Sequence, residues 1–375
     1  MTEDWVRQAD PRAGYLAQKT EIDSAIAAVL EGGQYILGPE VEAFERDFAV
    51  YLGAAHAIGT SSGTDAITLG LRALGVAPGD GVASVSHTAT ATIAAIEMAG
   101  ATPVFIDVEP DSFSMDPAAL GALLAHPPMA IKAVLPVHLY GRPAAIVNIA
   151  AIARRHGAAV LEDASQAHGA AVGDRKLGRF GALAAFSLYP TKNLGALGDA
   201  GVLVTDDDVL QERCRSLRQY GWRGRYASHE PGMNCRLDEL QAAALRIKLR
   251  RLDLSNDRRR AIARAYDEGL AGLDLILPTA AQGQIHAYHQ YVVRVPERDR
   301  LRSTLAQQGI ATAVHYPAPV HLQPAYLGRF PIGPTGLSTT ERLAGEILSL
   351  PIYPELADAH VARVVDALRA AISKI

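Results

Sequence analysis

The stretch Ser187-Leu-Tyr-Pro-Thr-Lys192-Asn-Leu-Gly-Ala-Leu-Gly-Asp-Ala-Gly201 decides the reading of this chain. It lies between two apolar runs, Ala182–Phe186 and Gly201–Thr205, each with the length and composition of a buried strand. A lysine in a loop between strands, beside Ser and several Gly, is open to desolvation. Desolvation lowers an ammonium pKa and frees a neutral amine to attack a carbonyl. Upstream, Ala158-Ala-Val-Leu-Glu-Asp163-Ala-Ser-Gln166-Ala-His168 reads as an apolar strand ending in a carboxylate. Taken singly, Lys192 has the blander reading of a surface lysine, and Asp163 that of a carboxylate capping the next turn. Together they match what pyridoxal 5'-phosphate (PLP) requires of its protein: an imine-forming lysine and an acid for the pyridinium nitrogen.

Strand-like and helix-like stretches alternate outward from this centre. Val82–Ser86, Pro103–Val108, Ile131–Val137 and Ala159–Glu162 read as strands. Thr64–Leu74, Ala91–Ala99, Ile146–His156 and Asp207–Tyr220 read as helices. The alternation predicts an α/β domain with helices packed on a mostly parallel sheet, and ligands bind at the strand C-termini of such sheets. After Leu237 the texture changes. Leu237–Leu254 reads as one long helix continued by Asp257–Gly269, followed by a strand at Tyr291–Val295, a helix at Leu301–Gln308 and closing helices at Thr339–Leu348 and Ala359–Ser373. The expected division is a large domain over residues 1–250 and a smaller α+β domain over 251–375, with the N-terminal segment against the smaller one.

Composition narrows the classes. The chain has 375 residues, 49% hydrophobic and 20% charged, enough for a large core. A formal net charge of −4 offers no global field for nucleic acid. No apolar stretch is long and clean enough for a bilayer span; Ala89–Ile106 is interrupted by Glu97, Gly100 and Pro103. The first residues, Met1-Thr-Glu-Asp-Trp-Val-Arg7, lack the apolar run of an export signal, and the two cysteines, Cys214 and Cys235, suit a reducing compartment. The expectation is a cytoplasmic protein. No G-x-G-x-x-G follows a strand, which counts against a nicotinamide enzyme. The histidine pairs His286/His289 and His315/His321 have no neighbouring cysteine or acid cluster, so no metal is expected.

Four segments in order carry a family resemblance: Gly59-Thr-Ser-Ser-Gly-Thr-Asp-Ala66, Glu162-Asp-Ala-Ser-Gln-Ala-His-Gly169, Tyr189-Pro-Thr-Lys-Asn-Leu-Gly-Ala-Leu-Gly-Asp199 and Gly232-Met-Asn-Cys-Arg-Leu-Asp-Glu-Leu-Gln241. From about Gly32 to Pro354 the chain resembles the DegT/DnrJ/EryC1/StrS family of PLP-dependent sugar aminotransferases. The resemblance implies fold type I, aspartate aminotransferase-like. It implies Lys192 as the cofactor-linked amine and Asp163, rather than the adjacent Glu162 on the opposite strand face, as partner of the ring nitrogen. It places Gln166 at the ring hydroxyl and Gly63, Thr64 and Ser187 at the phosphate. The helix opened by Gly63-Thr64 also offers free N–H groups and a positive end, although an ordinary N-cap at Ser62 or Thr64 is the plainer reading. Asn234 is carried over as a phosphate contact to the neighbouring subunit, against its other reading as a helix cap. Arg236, His315, Tyr316, His321 and Tyr35 are carried over as substrate residues, with His315-Tyr316 acting across a dimer interface. Where the family commonly stacks an aromatic residue on the cofactor, this chain has Ala89. His87 is the candidate to take over that face, with packing against smaller side chains as the alternative.

The implied reaction moves an amino group from an amino acid, L-glutamate above all, to a nucleotide-linked keto sugar in a homodimer with shared sites. The stretch Gly33-Gln-Tyr-Ile-Leu-Gly-Pro-Glu-Val-Glu-Ala-Phe44 is similar to members that aminate C-3 of a keto-(6-deoxy)hexose. C-4 amination, an aminocyclitol substrate with glutamine as donor, and a PLP-binding regulatory protein without turnover are the alternatives. A PLP dehydratase of the same fold carries His at the lysine position, and Lys192 argues against it.

Overall fold

The computed structural model describes residues 5–373. Its centre is a seven-stranded sheet built from β1 (His56–Thr60), β2 (Gly81–Val85), β3 (Thr102–Ile106), β4 (Ile131–Leu135) and β5 (Ala159–Asp163). After a small hairpin, β6 (Ala171–Val172) and β7 (Arg175–Lys176), come β8 (Leu183–Ser187) and β9 (Gly201–Thr205). The strand order is β1-β9-β8-β5-β4-β2-β3. All contacts from β8 through β3 are parallel, and β9 runs antiparallel to both its neighbours.

Side-chain alternation explains the layers. Along β8, Ala184 and Phe186 face one apolar cluster while Leu183 and Ala185 face another; along β9, Val202 and Val204 oppose Leu203 in the same way. Buried on both faces, these strands read as continuous apolar runs, as parallel sheets do. The helix Pro39–Leu52 covers one face, where Phe48 meets Phe186 edge-on with ring centroids 5.3 Å apart. The helix Gly63–Ala73 covers the other, packed on β8 and β9.

A further apolar cluster joins Val6 to residues of the helix Leu252–Leu270, the two-stranded sheet of Tyr291–Arg294 with Ile347–Leu350, and the last helix, Asp358–Ile372. The N-terminal segment therefore packs beside residues from the C-terminal third: Val6 bridges Ile310 and shares that core. Among the described residues, no helix is long and apolar enough to cross a membrane.

Three sequence expectations are corrected. The expected helix Leu237–Leu254 is two helices, Glu239–Leu249 and Leu252–Leu270, separated at Arg250–Arg251, where Arg251 leaves helical geometry (φ −109°, ψ 2°). The helix expected over Thr339–Leu348 ends at Glu346, and Ile347–Leu350 is a fully buried strand whose partner is the Tyr291–Arg294 strand. The alternation also begins earlier than read, with helices Lys19–Gly32 and Pro39–Leu52 and strand β1 ahead of the first expected helix.

Candidate active site

The sheet register brings the sequence motifs together. Asp163, last in β5, pairs with Ala185, and Ser187, last in β8, pairs with Gly201, first in β9. Thr60, last in β1, also pairs with Gly201, so the helix that follows opens at the same sheet edge. Packing there is tight. A Cβ on Gly201 would stand 2.2 Å from the Ser62 carbonyl oxygen, and one on Gly63 2.6 Å from Ser187 Cβ. Only glycine lets the helix N-terminus press against the strand ends.

That N-terminus is capped from within. Ser62 Oγ accepts the Asp65 N–H at 3.0 Å, and the Ser62 carbonyl accepts the Ala66 N–H. The amides of Gly63 and Thr64 have no intrahelical acceptor, as first-turn amides never do. They border an open cleft of about 730 Å³, with Ser187, Asp163, Gln166 and Lys192 on its other walls.

Asp163 is buried and oriented from two sides. Thr92 donates its hydroxyl to Oδ2 at 2.8 Å and Ser165 its N–H to Oδ1 at 3.1 Å. Thr88 in turn bonds Thr92 at 2.9 Å. Glu162 points to the opposite face, as strand geometry requires. It accepts from His138 at 3.0 Å and from the amides of Gly178, Phe180 and Gly181. Burial works against its charge, but the His138 bond and those amides outweigh burial and hold the carboxyl below its usual range. Glu162 thus anchors the turn before β8.

Lys192 sits in a loop stapled at several points. Its N–H bonds the Tyr189 carbonyl at 2.8 Å, Ala196 N–H bonds Leu188 O, and Lys248 Nζ donates to Gly195 O at 2.6 Å. Burial lowers the Lys192 ammonium pKa to about 8, while the nearby Asp163 charge partly opposes the shift. Gln166 accepts the Tyr140 N–H at 2.7 Å and donates to Tyr316 Oη at 3.3 Å. Tyr140 also donates its hydroxyl to the His315 carbonyl, and His315 Nδ1 pairs with Ser349 at 2.8 Å. Burial pushes the Tyr316 hydroxyl up to about 12, with Asp163 adding to it, and burial lowers His315 to about 4.

The structure therefore sorts the expected residues into four groups. Gly63, Thr64, Asp163, Gln166, Ser187 and Lys192 share the cleft. Within their own chain His315 and Tyr316 are tied to the cleft's surroundings, Tyr316 through Gln166 and the His315 carbonyl through Tyr140. Asn234 and Arg236 line a separate outward recess with Ile36, and Asp199 borders both cavities. Tyr35, exposed, lies next in sequence to Ile36, which bridges Asp238.

Two histidines are placed elsewhere. His87 is buried against Phe113 and bonds Tyr140 Oη at 3.1 Å, while Thr88 and Ala89 form the cleft wall. Thr88 and Ala89, and not His87, are among the residues that line the cleft. His321 spends both ring nitrogens on protein: Nδ1 on Ser86 Oγ at 2.7 Å and Nε2 on Glu341 at 3.2 Å. It fastens its loop to the end of β2. Thr88, Thr92 and Tyr140 escaped the sequence reading. The Thr88-x-x-x-Thr92 spacing at a helix start was the available signal for the first two.

These residues fit PLP. The cleft offers uncapped helix amides and hydroxyls for a phosphate, a buried and oriented carboxylate for a ring nitrogen, and an amine with depressed pKa. With the mostly parallel sheet and its covering helices, they define a PLP-dependent aminotransferase of fold type I. Residues 17–369 match the model of the DegT/DnrJ/EryC1/StrS aminotransferase family, and the chain belongs to that family. It is 48% identical to the dTDP-3-amino-3,4,6-trideoxy-alpha-D-glucose transaminase of Streptomyces venezuelae, over 96% of this chain and 94% of that protein. It is 43% identical to a pleiotropic regulatory protein of Geobacillus stearothermophilus, over 94% of each. Among solved structures, it superposes on S. venezuelae DesV in complex with a ketimine intermediate with TM-score 0.95, at 46% identity and 99% coverage of both chains.

Proposed function

We propose that this aminotransferase carries an amino group from L-glutamate to the C-3 ketone of a nucleotide-linked keto-6-deoxyhexose. The observation that carries the chemistry is the desolvated Lys192 amine on one cleft with the buried Asp163 carboxylate. The likeness to a 3-amino-sugar transaminase over nearly the whole chain supports the acceptor. Bound PLP supplies the electron sink that lets a proton leave and return at the carbon bearing nitrogen.

The chain's own residues do the rest. Gly63 and Thr64 amides, with the Thr64 and Ser187 hydroxyls, hold the phosphate. Asp163, kept in place by Thr92 and the Ser165 amide, holds a proton on the ring nitrogen. Gln166 meets the ring hydroxyl. Lys192 gives the neutral amine that takes up the cofactor and afterwards moves the proton. At pH 7 a pKa of about 8 leaves about one amine in ten neutral, against about one in three thousand for a solvated lysine. His315 and Tyr316 face the sugar from the same chain. Asn234, Arg236 and Tyr35 serve the neighbouring subunit of a cytoplasmic homodimer. The exposed Tyr35, Ile36, Tyr189 and Leu197 around that region suit a protein interface.

The regulatory name of one relative favours a second reading, PLP binding without turnover. A single-turnover assay separates the two. The pyridoxamine form is mixed with a panel of keto-sugar nucleotides, and return of the pyridoxal absorbance is followed. Return with a 3-keto substrate supports the proposal. No return with any member of the panel defeats it.

A further inference from the structure

Next to Lys192, and outside the residues that line the cleft, runs a line of side chains that the proposed chemistry does not use. Gln8 donates to Gln290 Oε1 at 2.6 Å, and Gln290 Nε2 meets His289 Nε2 at 3.4 Å. His289 Nδ1 meets Asn193 Oδ1 at 3.3 Å, and Asn193 Nδ2 donates to Asn256 Oδ1 at 2.8 Å. Asn256 Nδ2 closes the line on the His168 carbonyl at 2.8 Å. Asn193 Nδ2 also donates to the Ala287 carbonyl at 2.8 Å, so its amide is saturated.

Every donor in this line points the same way. An amide nitrogen can only donate to His289 Nε2, which leaves the proton of a neutral ring on Nδ1, where Asn193 Oδ1 accepts it. A one-way chain of this kind strengthens each of its bonds and has no place for a second proton on His289. Burial, with Lys192, Arg259, His315 and His168 adding to it, also holds His289 well below its ordinary range. Asn256, His289 and Gln290 are buried, and Asn193 is the residue next to Lys192. The line spans the N-terminal segment, residues 287–290, the lysine loop, the helix Leu252–Leu270 and the turn after β5.

We infer that Asn193 and His289 are positioning residues: they seat the Lys192 loop and keep a second cation away from its amine, tying the amine's reactivity to the placement of residues 287–290. The inference rests on the reading of Lys192 as the reactive amine. Asn193→Ala, which removes three bonds at once, is expected to lower kcat by about tenfold to a hundredfold with KM for the amino donor within about twofold. Activity alone would not distinguish this from general loosening. The deciding measurement is on apoprotein: the pH dependence of Lys192 labelling by formaldehyde and cyanoborohydride, read by peptide mass spectrometry.

Asn193→Asp puts a carboxylate beside the amine and removes the donor to Asn256. It is expected to raise the labelling midpoint by about one pH unit. His289→Ala is expected to slow the labelling, and His289→Gln, which keeps a donor for Asn193, to recover most of the loss. Gln8→Leu cuts the line at its half-buried outer end, where folding is not at stake, and is expected to change the labelling in the direction of His289→Ala. Unchanged Lys192 labelling in Asn193→Asp and Gln8→Leu, or equal loss in both His289 variants, overturns the inference. If borohydride reduction of the holoenzyme instead labels another lysine, the functional reading itself fails, a result distinct from these.

Discussion

At the residue scale, the site rests on a desolvated amine beside a carboxylate fixed by hydrogen bonds. Lys192 loses hydration, and Asp163 is held in place by the Thr92 hydroxyl and the Ser165 amide. The sign of the first effect is testable. Cofactor capture by apoenzyme needs the neutral amine, so its rate is expected to rise about tenfold per pH unit below pH 8 and to level above it. Stopped-flow absorbance reads this, and a rise continuing to pH 10 would mean an ordinary solvated lysine. Asp163→Asn is expected to retain cofactor but cost about 4 kcal/mol in the barrier, roughly a thousandfold in kcat, because a neutral amide does not hold the ring proton. Thr92→Val removes one donor to that carboxylate and is expected to cost about 1.5 kcal/mol, roughly tenfold. Equal kcat values in the two variants would separate Asp163 from the ring nitrogen.

At the scale of elements, legibility followed the source of each signal. Strands β2 to β5, β8 and β9 were readable because burial on both faces leaves unbroken apolar runs. The strand Ile347–Leu350 was not, because Gly345 lies inside the helix Ser338–Glu346 and does not mark its end, and pairing with Tyr291–Arg294 is what makes the short apolar run extended. Likewise no Gly or Pro marks the break at Arg250–Arg251. Cleft residues carried on strand ends and the lysine loop were legible in sequence. Those whose work depends on a long-range partner, such as His321 with Ser86, were not. His321→Ala takes the ring acceptor from the buried Ser86 hydroxyl, which keeps only the N–H of residue 321, and is expected to cost about 1.5 kcal/mol of stability. It should also raise KM for the sugar nucleotide as the loop of His315 and Tyr316 loosens. Denaturant titration and steady-state kinetics read both. Lost cofactor affinity at unchanged stability would instead put His321 at the cofactor.

At the scale of the whole molecule, the residue sorting gives two mixing experiments opposite outcomes. Asn234 and Arg236 line a recess outside their own chain's cleft, whereas Tyr316 is bonded to Gln166 within it. In a two-fold dimer with shared sites, each site takes Lys192 from one subunit and Asn234 from the other. A heterodimer of Lys192→Ala with Asn234→Ala then gathers both lesions into one site and leaves its second site intact. Equal mixing with free exchange makes half of the dimers mixed, so activity is expected to recover to about a quarter of wild type. Lys192→Ala mixed with an inactive Tyr316→Ala must behave differently. Both residues belong to the same subunit's cleft, so every heterodimer site keeps one lesion and no activity returns. The pair of results is specific to this arrangement. Recovery in both mixtures would move Tyr316 across the interface. Recovery in neither, after subunit exchange has been verified by mass spectrometry, would confine Asn234 to its own chain and end the shared-site proposal.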